Sequence, residues 1–381
     1  MKASSLLPAA RAALAGIGII LALTAFGPVV TLAAGEAKPA PAGEPNTARA
    51  GKAKVAPARP ADPEVEKLVK ELAGRGWILF SSQAKGTYDL FLSRPDGSAM
   101  RNITNTPDAS EFGGRFSPDG TKILYRRLPR GQGFAHDMWG AQGRLVIADA
   151  DGANPVVQGK DGEFPWASWG PDGKQIACLD KRQGKIVIYD LATRKAVKEM
   201  PRKGIFQQLY WSPDGKRLCG TANVNGADWN IVSVDLAGGE ATLLSRQLNC
   251  TSDWFQGDPT RVIYSHRDPA LEQGDSYGWT SLWQASADGK TRTLLYGEHQ
   301  HIYFGCTSPD DQYVLLTRAP GDGGINRQMA IIRLADTPII VPPFEALKEQ
   351  FPGAKEGPVF HWKDLPLVFE PHWTYAKIGG E

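Results

Sequence analysis

The chain of 381 residues lacks any block of charge of one sign: 43 Lys and Arg stand against 41 Asp and Glu, for a net charge of +2. No basic stripe argues for nucleic acid, and no acidic run argues for a charged tail. Cysteine is scarce too. The four present, Cys178, Cys219, Cys250 and Cys306, never form the paired Cys-x-x-Cys knuckles of a structural zinc site. None closely follows the first apolar segment, which argues against a lipoprotein. Histidine is rarer than tryptophan, six against eleven, so imidazole chemistry must come from a handful of positions.

What the chain does have is glycine, tryptophan and repetition. "WSPDGKRLCG" from Trp211 returns as "FSPDGTKILY" from Phe116, "WGPDGKQIAC" from Trp169 and "TSPDDQYVLL" from Thr307, with a weaker copy, "FQGDPTRVIY", from Phe255. The marker residues Asp119, Asp172, Asp214, Asp258 and Asp310 step by 42 to 53 residues, in or just above the range of propeller blades. Proline sets φ at the second turn position, Asp bonds neighbouring backbone and Gly accepts positive φ, so Ser-Pro-Asp-Gly is tight-turn chemistry first.

A second set of turns alternates with the first, at Arg94-Pro95-Asp96-Gly97, Asp149 to Gly152, Asp190 to Thr193, Asp235 to Gly238, Ala287 to Gly289 and Ala335-Asp336. Strand-like segments such as "KIVIYD" and "NIVSVD" precede them. Each unit therefore holds four strands, and six units make an all-β, six-bladed β-propeller of four-stranded blades. The first unit lacks an inner strand. "LVFEPHWTYA", Leu367 to Ala376, has the composition to supply it and close the ring, leaving no unpaired edge at the joint.

The N-terminal part reads differently. Residues 1–34 carry Lys2 and Arg11 ahead of the apolar run Ala12 to Ala34, a signal peptide or a membrane anchor. Residues 35–61 are Ala, Pro, Gly and Lys with hardly a large apolar residue, a disordered tether. In residues 62–76, Asp62-Pro63 supplies a cap and a first-turn proline, and Val65, Leu68, Val69 and Leu72 recur at helical spacing before Gly74 and Gly76. That predicts a short amphipathic helix flanking a propeller that fills residues 77–381. In an exported protein Cys250 and Cys306, each in a Cys-Thr-Ser at matching points of successive units, are candidates for a disulfide, if their Cα separation permits it. Cys178 and Cys219 read as buried free thiols.

The phrases "RFSPDGTKILYRR", "ASWGPDGKQIACLD", "LYWSPDGKRLCG" and "YDLFLSRPDGSAMRNITNT" resemble the repeats of the TolB-like family of six-bladed propellers, over roughly Trp77 to Arg333. The resemblance implies the propeller fold and a periplasmic or secreted location, possible tethering included. TolB itself carries an α/β domain ahead of its propeller. Here that place holds only the tether and one helix, so the resemblance is carried over for fold and export alone.

Chemistry is thinly signalled. Gly274-Asp275-Ser276-Tyr277-Gly278 fits G-x-S-x-G, but "HRDPALEQ" before it and the strand-like "GWTSLWQAS" after it are not the strand and helix of a nucleophile elbow. His299 and His301 alternate just ahead of an inner strand and so face one side. His136 and Asp137, in the insertion Leu128 to Gln142, and His372, near the closing strand, are placed to join them at a channel mouth. Imidazoles with carboxylates suit Mn²⁺ or Zn²⁺, and His299 and His301 are the candidate ligands. This pattern is similar to that of propeller-type oligogalacturonate lyases, which implies a metal-dependent polysaccharide lyase as the alternative function, the metal acidifying a proton beside a uronate carboxylate.

Glu111 and Glu163 precede the first two inner strands, and with Trp166 they would give that mouth a polar rim and an aromatic wall. Further insertions, Arg267 to Gly278 and Asn223 to Asp228, suit recognition loops. The leading expectation is a monomeric, non-catalytic binding scaffold for an envelope protein or glycan, without nucleic acid, a confidently assigned cofactor or any membrane contact beyond an uncleaved N-terminal segment.

Overall fold

Local chemistry builds the turns as the repeat requires. In "FSPDG" the Ser117 hydroxyl donates to Asp119 Oδ1 at 2.6 Å, Thr121 N donates to the same oxygen at 3.0 Å, and Gly120 N closes onto Ser117 O at 2.8 Å with φ +69°. Ser212, Asp214 and Gly215 repeat the pattern. In the decayed copy Asp311 takes the glycine's place at φ +53°, a conformation that aspartate tolerates better than most residues.

The structure, a computed structural model, describes residues 62–379 except 85–86, 133–138, 181, 225, 269–278, 299, 320–327, 342–345 and 363–367. Six antiparallel sheets follow one another in chain order as the blades of a ring. Their inner strands are Val368–Thr374 in blade 1, Ala109–Phe116 in blade 2, Ser168–Trp169 in blade 3, Ile205–Trp211 in blade 4, Asn249–Trp254 in blade 5 and His301–Thr307 in blade 6. The expected closure is present. Val368–Thr374 pairs antiparallel with Trp77–Ala84, the first strand of the chain, in the register Trp77 to Thr374, Ile78 to Trp373 and Leu79 to His372.

Blade 5 departs from the four-strand expectation. After Arg333 the chain leaves blade 6, lays Ile339–Ile340 parallel to the outer strand Arg292–Gly297 of blade 5, forms the short helix Ala346–Gln350, and returns as Phe360–His361, the outer strand of blade 6. Leu294, Ile340 and Leu347 pack together under this strap. It covers a sheet edge that would otherwise present unpaired backbone groups.

The core lies in the seams, with one apolar cluster between each pair of neighbouring blades. Helix Pro63–Leu72 belongs to the seam where the chain ends meet. Asp62 Oδ1 caps it by accepting from Glu64 N at 2.9 Å, and Leu68 and Leu72 are fully buried beside Phe80, Leu315 and Trp373. Burying two leucines contributes about 3 to 6 kcal/mol. Glu71 takes a two-pronged grip from Arg333 of blade 6 at 2.7 and 3.2 Å, and Trp373 Nε1 donates to Arg75 O at 2.8 Å. The helix thus straddles the closing joint.

Each inner segment carries a left-handed residue at one register. Glu370, Gly113, Trp166, Gln208, Thr251 and Phe304 all have positive φ, between +43° and +64°, and the pairing shifts there in five of the six blades. Such bulges re-aim the residues that follow. They also settle the cysteines. Cys250 comes one residue before its bulge and Cys306 two after, so the positions differ by about 10 Å along the strand direction. None of the four cysteines is in a disulfide, and the expected match of Cys250 with Cys306 is corrected: the shared tripeptide sits at different registers.

Candidate functional site

Two residues beyond each bulge stand His372, Arg115, Ser168, Tyr210, Asp253 and Cys306, one per blade, and all but Cys306 line a pocket of about 440 Å³. The pocket opens where the inner strands end. Its lining is aromatic and proline-rich: Trp169, Trp211 and Tyr375 stand at the surface, Trp254 and Trp373 are buried behind it, and Pro118, Pro171, Pro213 and Pro309 come from the turns. The indoles are held by backbone: Trp169 Nε1 donates to Arg115 O at 3.1 Å and Trp254 Nε1 to Tyr210 O at 3.0 Å, each bond crossing to a preceding blade.

The floor is polar and closed. Arg115 of blade 2 forms an ion pair with Asp253 of blade 5, directly across the ring, and its guanidinium lies 4.0 Å from the centre of the Tyr210 ring. Tyr210 of blade 4 donates to Glu370 Oε1 of blade 1 at 2.9 Å, again across the axis. Two crossed spokes therefore plug the channel, and the pocket above them is a funnel. Burial pushes the Glu370 carboxyl up to about 7, against the opposing pull of Arg115 and the Tyr210 hydroxyl. His372 Nδ1 accepts from Phe116 N at 3.2 Å, and desolvation with Arg115 nearby holds its imidazole well below the usual range, so it is neutral.

Of the residues expected at a channel mouth, the described ones do not converge. His372 lines the funnel, whereas Glu111 and His301 lie toward the opposite ends of their strands. Glu111 is fully buried, bound by the Thr106 hydroxyl at 2.6 Å and Arg127 Nε at 2.9 Å, with burial raising its carboxyl. Its surroundings hold the blade together. Glu163 is exposed and accepts from Lys160 N at 2.7 Å. Trp166 is a bulge residue, 4% exposed, packed in the seam of blades 3 and 4.

His301 is buried between the Trp279 ring, 5.7 Å away, and the Tyr303 ring at 6.3 Å. Tyr303, Phe304, Phe369 and Tyr88 continue this aromatic row across blades 6 and 1. His136, Asp137, His299 and the Gly274 to Gly278 segment lie outside the described residues. Among the described residues, no group of three or more His, Cys, Asp or Glu side chains is arranged to hold a metal ion.

Apart from His372 the funnel residues were missed, although their signal is in the quoted phrases. The residue directly before the aromatic of each turn phrase reads Arg115, Ser168 and Tyr210, then Asp253 before Trp254 and His372 before Trp373. Only the bulge turns that position toward the axis.

No family model matches the chain. A stretch of 143 residues, 35% of the chain, is 32% identical to the Tol-Pal system protein TolB of Alcanivorax borkumensis, and covers 31% of that relative's length. The TolB structure from Acinetobacter baumannii superposes with a TM-score of 0.56 at 18% identity, over 81% of this chain and 69% of that one. A chain of the nidogen/laminin complex gives a TM-score of 0.52 at 11% identity, over 78% of this chain and 97% of that one. The class is thus a six-bladed β-propeller with TolB-like repeats. Within that class, this chain is similar to TolB in a third of its sequence and in its fold.

Proposed function

We propose that the protein is an exported, non-catalytic scaffold that seats a segment of an envelope protein in the funnel. The observation that carries this reading is the funnel itself, with Trp169, Trp211 and Tyr375 on the wall of a pocket whose floor is sealed by Arg115, Asp253, Tyr210 and Glu370. Aromatic side chains of this kind dominate the energetics of protein recognition sites. The floor charges are already paired within the protein, which suits binding rather than proton transfer. The curated relative is a Tol-Pal system protein, which supports an envelope partner and a periplasmic setting. Among the described residues, no helix is long and apolar enough to cross a membrane.

A photo-crosslinking amino acid in place of Tyr375, 37% exposed on the funnel rim, tests the reading in cells. The same group at Val197, 53% exposed on the outer strand of blade 3, is the control. A discrete protein adduct from position 375 alone is expected. Identical adducts from both positions, no protein adduct from either, or capture of glycan only would overturn it.

A further inference from the structure

A second feature on the turn face lies away from the funnel. Trp77 pairs with Thr374, a funnel residue, and extends outward from it along blade 1. Two guanidinium groups address its one indole: the Arg94 Cζ lies 3.9 Å from the ring centroid and the Arg101 Cζ 4.3 Å. The ring is 2% exposed, so the arginines cover it. Each cation gains from the indole face, yet the sum of those two distances places them no more than about 8 Å apart, within mutual repulsion.

Arg94 is anchored, donating from Nη1 to Gly76 O at 3.0 Å. Arg101 differs. Among the described residues its side chain has no hydrogen bond or ion pair, and its guanidinium stacks on Trp77. Both side chains line an open groove of about 600 Å³, with Asp151 of blade 2 and Gly379 also in its lining. The Asp151 carboxylate is directed to its own turn, accepting from Ala153 N at 3.0 Å.

The geometry points to an oxyanion site in this groove, for a ligand of the phosphate-monoester class held by Arg101 and Arg94 against the Trp77 platform. A doubly charged tetrahedral group matches two planar forks and relieves their repulsion. Asp151 in the same lining selects for a compact anion over an extended polyanion, which would meet its negative charge. The site stands independently of the funnel proposal, since it uses neither its walls nor its floor.

The test is a titration of the folded, exported chain with inorganic phosphate at low ionic strength, followed by 31P NMR and calorimetry. Saturable binding is expected in the wild type, with affinity falling about ten- to a hundredfold in Arg101→Gln, the loss of a hydrogen-bonded charge. Arg101→Lys should fall in between. Lys216→Gln removes the same charge from an exposed turn on the same face and should leave affinity unchanged. Melting curves of the variants confirm that each is folded. Phosphatidic acid vesicles and a soluble sugar phosphate then identify the source. Uptake of both assigns a lipid headgroup, uptake of the sugar phosphate alone a soluble phosphoester, and either supports the site. No saturable binding, or equal losses in Arg101→Gln and Lys216→Gln, overturns it.

Discussion

Arg115 and Asp253, three blades apart, form an ion pair across the propeller axis, with side chains 11% and 13% exposed. No short-range contact brings these residues together. The pair exists because a bulge in each strand turns its side chain inward, and because Arg115 can also lie against the Tyr210 ring.

Removing one partner of this pair leaves a buried charge without compensation. Asp253→Asn is expected to destabilise the fold by about 3 to 5 kcal/mol, while the double change Arg115→Met with Asp253→Leu recovers most of the loss. Urea denaturation of the three proteins checks this. A cost below about 1 kcal/mol for Asp253→Asn would mean the pair is solvated.

Glu370 makes stability depend on pH in a definite direction. Its folded carboxyl titrates near 7, above the usual carboxylate range, so the folded state holds the proton more tightly than the unfolded chain. Its contribution is therefore favourable at low pH and is lost as pH rises from about 4.5 to 7, by up to roughly 3 kcal/mol. Glu370→Gln keeps the shape and removes the proton. The difference in stability between variant and wild type should grow in the variant's favour across that window and stay constant above it, as measured by chemical denaturation at a series of pH values. A flat difference would show that Glu370 does not titrate there.

Gly76 lies against the closing strand at φ +77°, and a Cβ placed there would come within 1.9 Å of Thr374 O. Gly76→Ala is expected to cost more than about 2 kcal/mol, from backbone strain and displacement of the joint together. Gly74→Ala, at φ +74° but with nothing within 4 Å, should cost only the conformational part, about 1 kcal/mol. Equal losses would argue that the joint is loose.

The ring closure makes a stronger demand. Truncation before Val368 removes the inner strand of blade 1 together with Trp373, one of the largest fully buried side chains. Unfolding should then shift as one cooperative transition, because the helix, blade 1 and blade 6 share that cluster. An unchanged calorimetric melting transition would contradict the joint.

The fold was legible because its information is local. Ser117, Asp119 and Gly120 specify a turn by their own hydrogen bonds, and counting such turns gives the blades. The missing inner strand of the first unit pointed directly to the C-terminal segment. The strap over blade 5 was not legible, since Ile339–Ile340 is only two residues of strand. The site was hidden for another reason. Gln208, Thr251, Phe304 and Glu370 adopt left-handed conformations that their side chains do not favour, so tertiary packing decides where they occur. His301 and Glu111 looked available because strand alternation alone exposes them; the aromatic row and Arg127 bury them.

The most direct measurement of the central claim is the affinity of the crosslinked partner, purified, for the wild type, Trp211→Ala, Tyr375→Ala and His301→Phe, by titration calorimetry. Binding through the funnel predicts at least about tenfold weakening for the Trp211 and Tyr375 variants, the range expected of aromatic anchors, and no change for His301→Phe. Weakening by His301→Phe with Trp211→Ala and Tyr375→Ala silent would contradict the account and move the site to the opposite end of the ring.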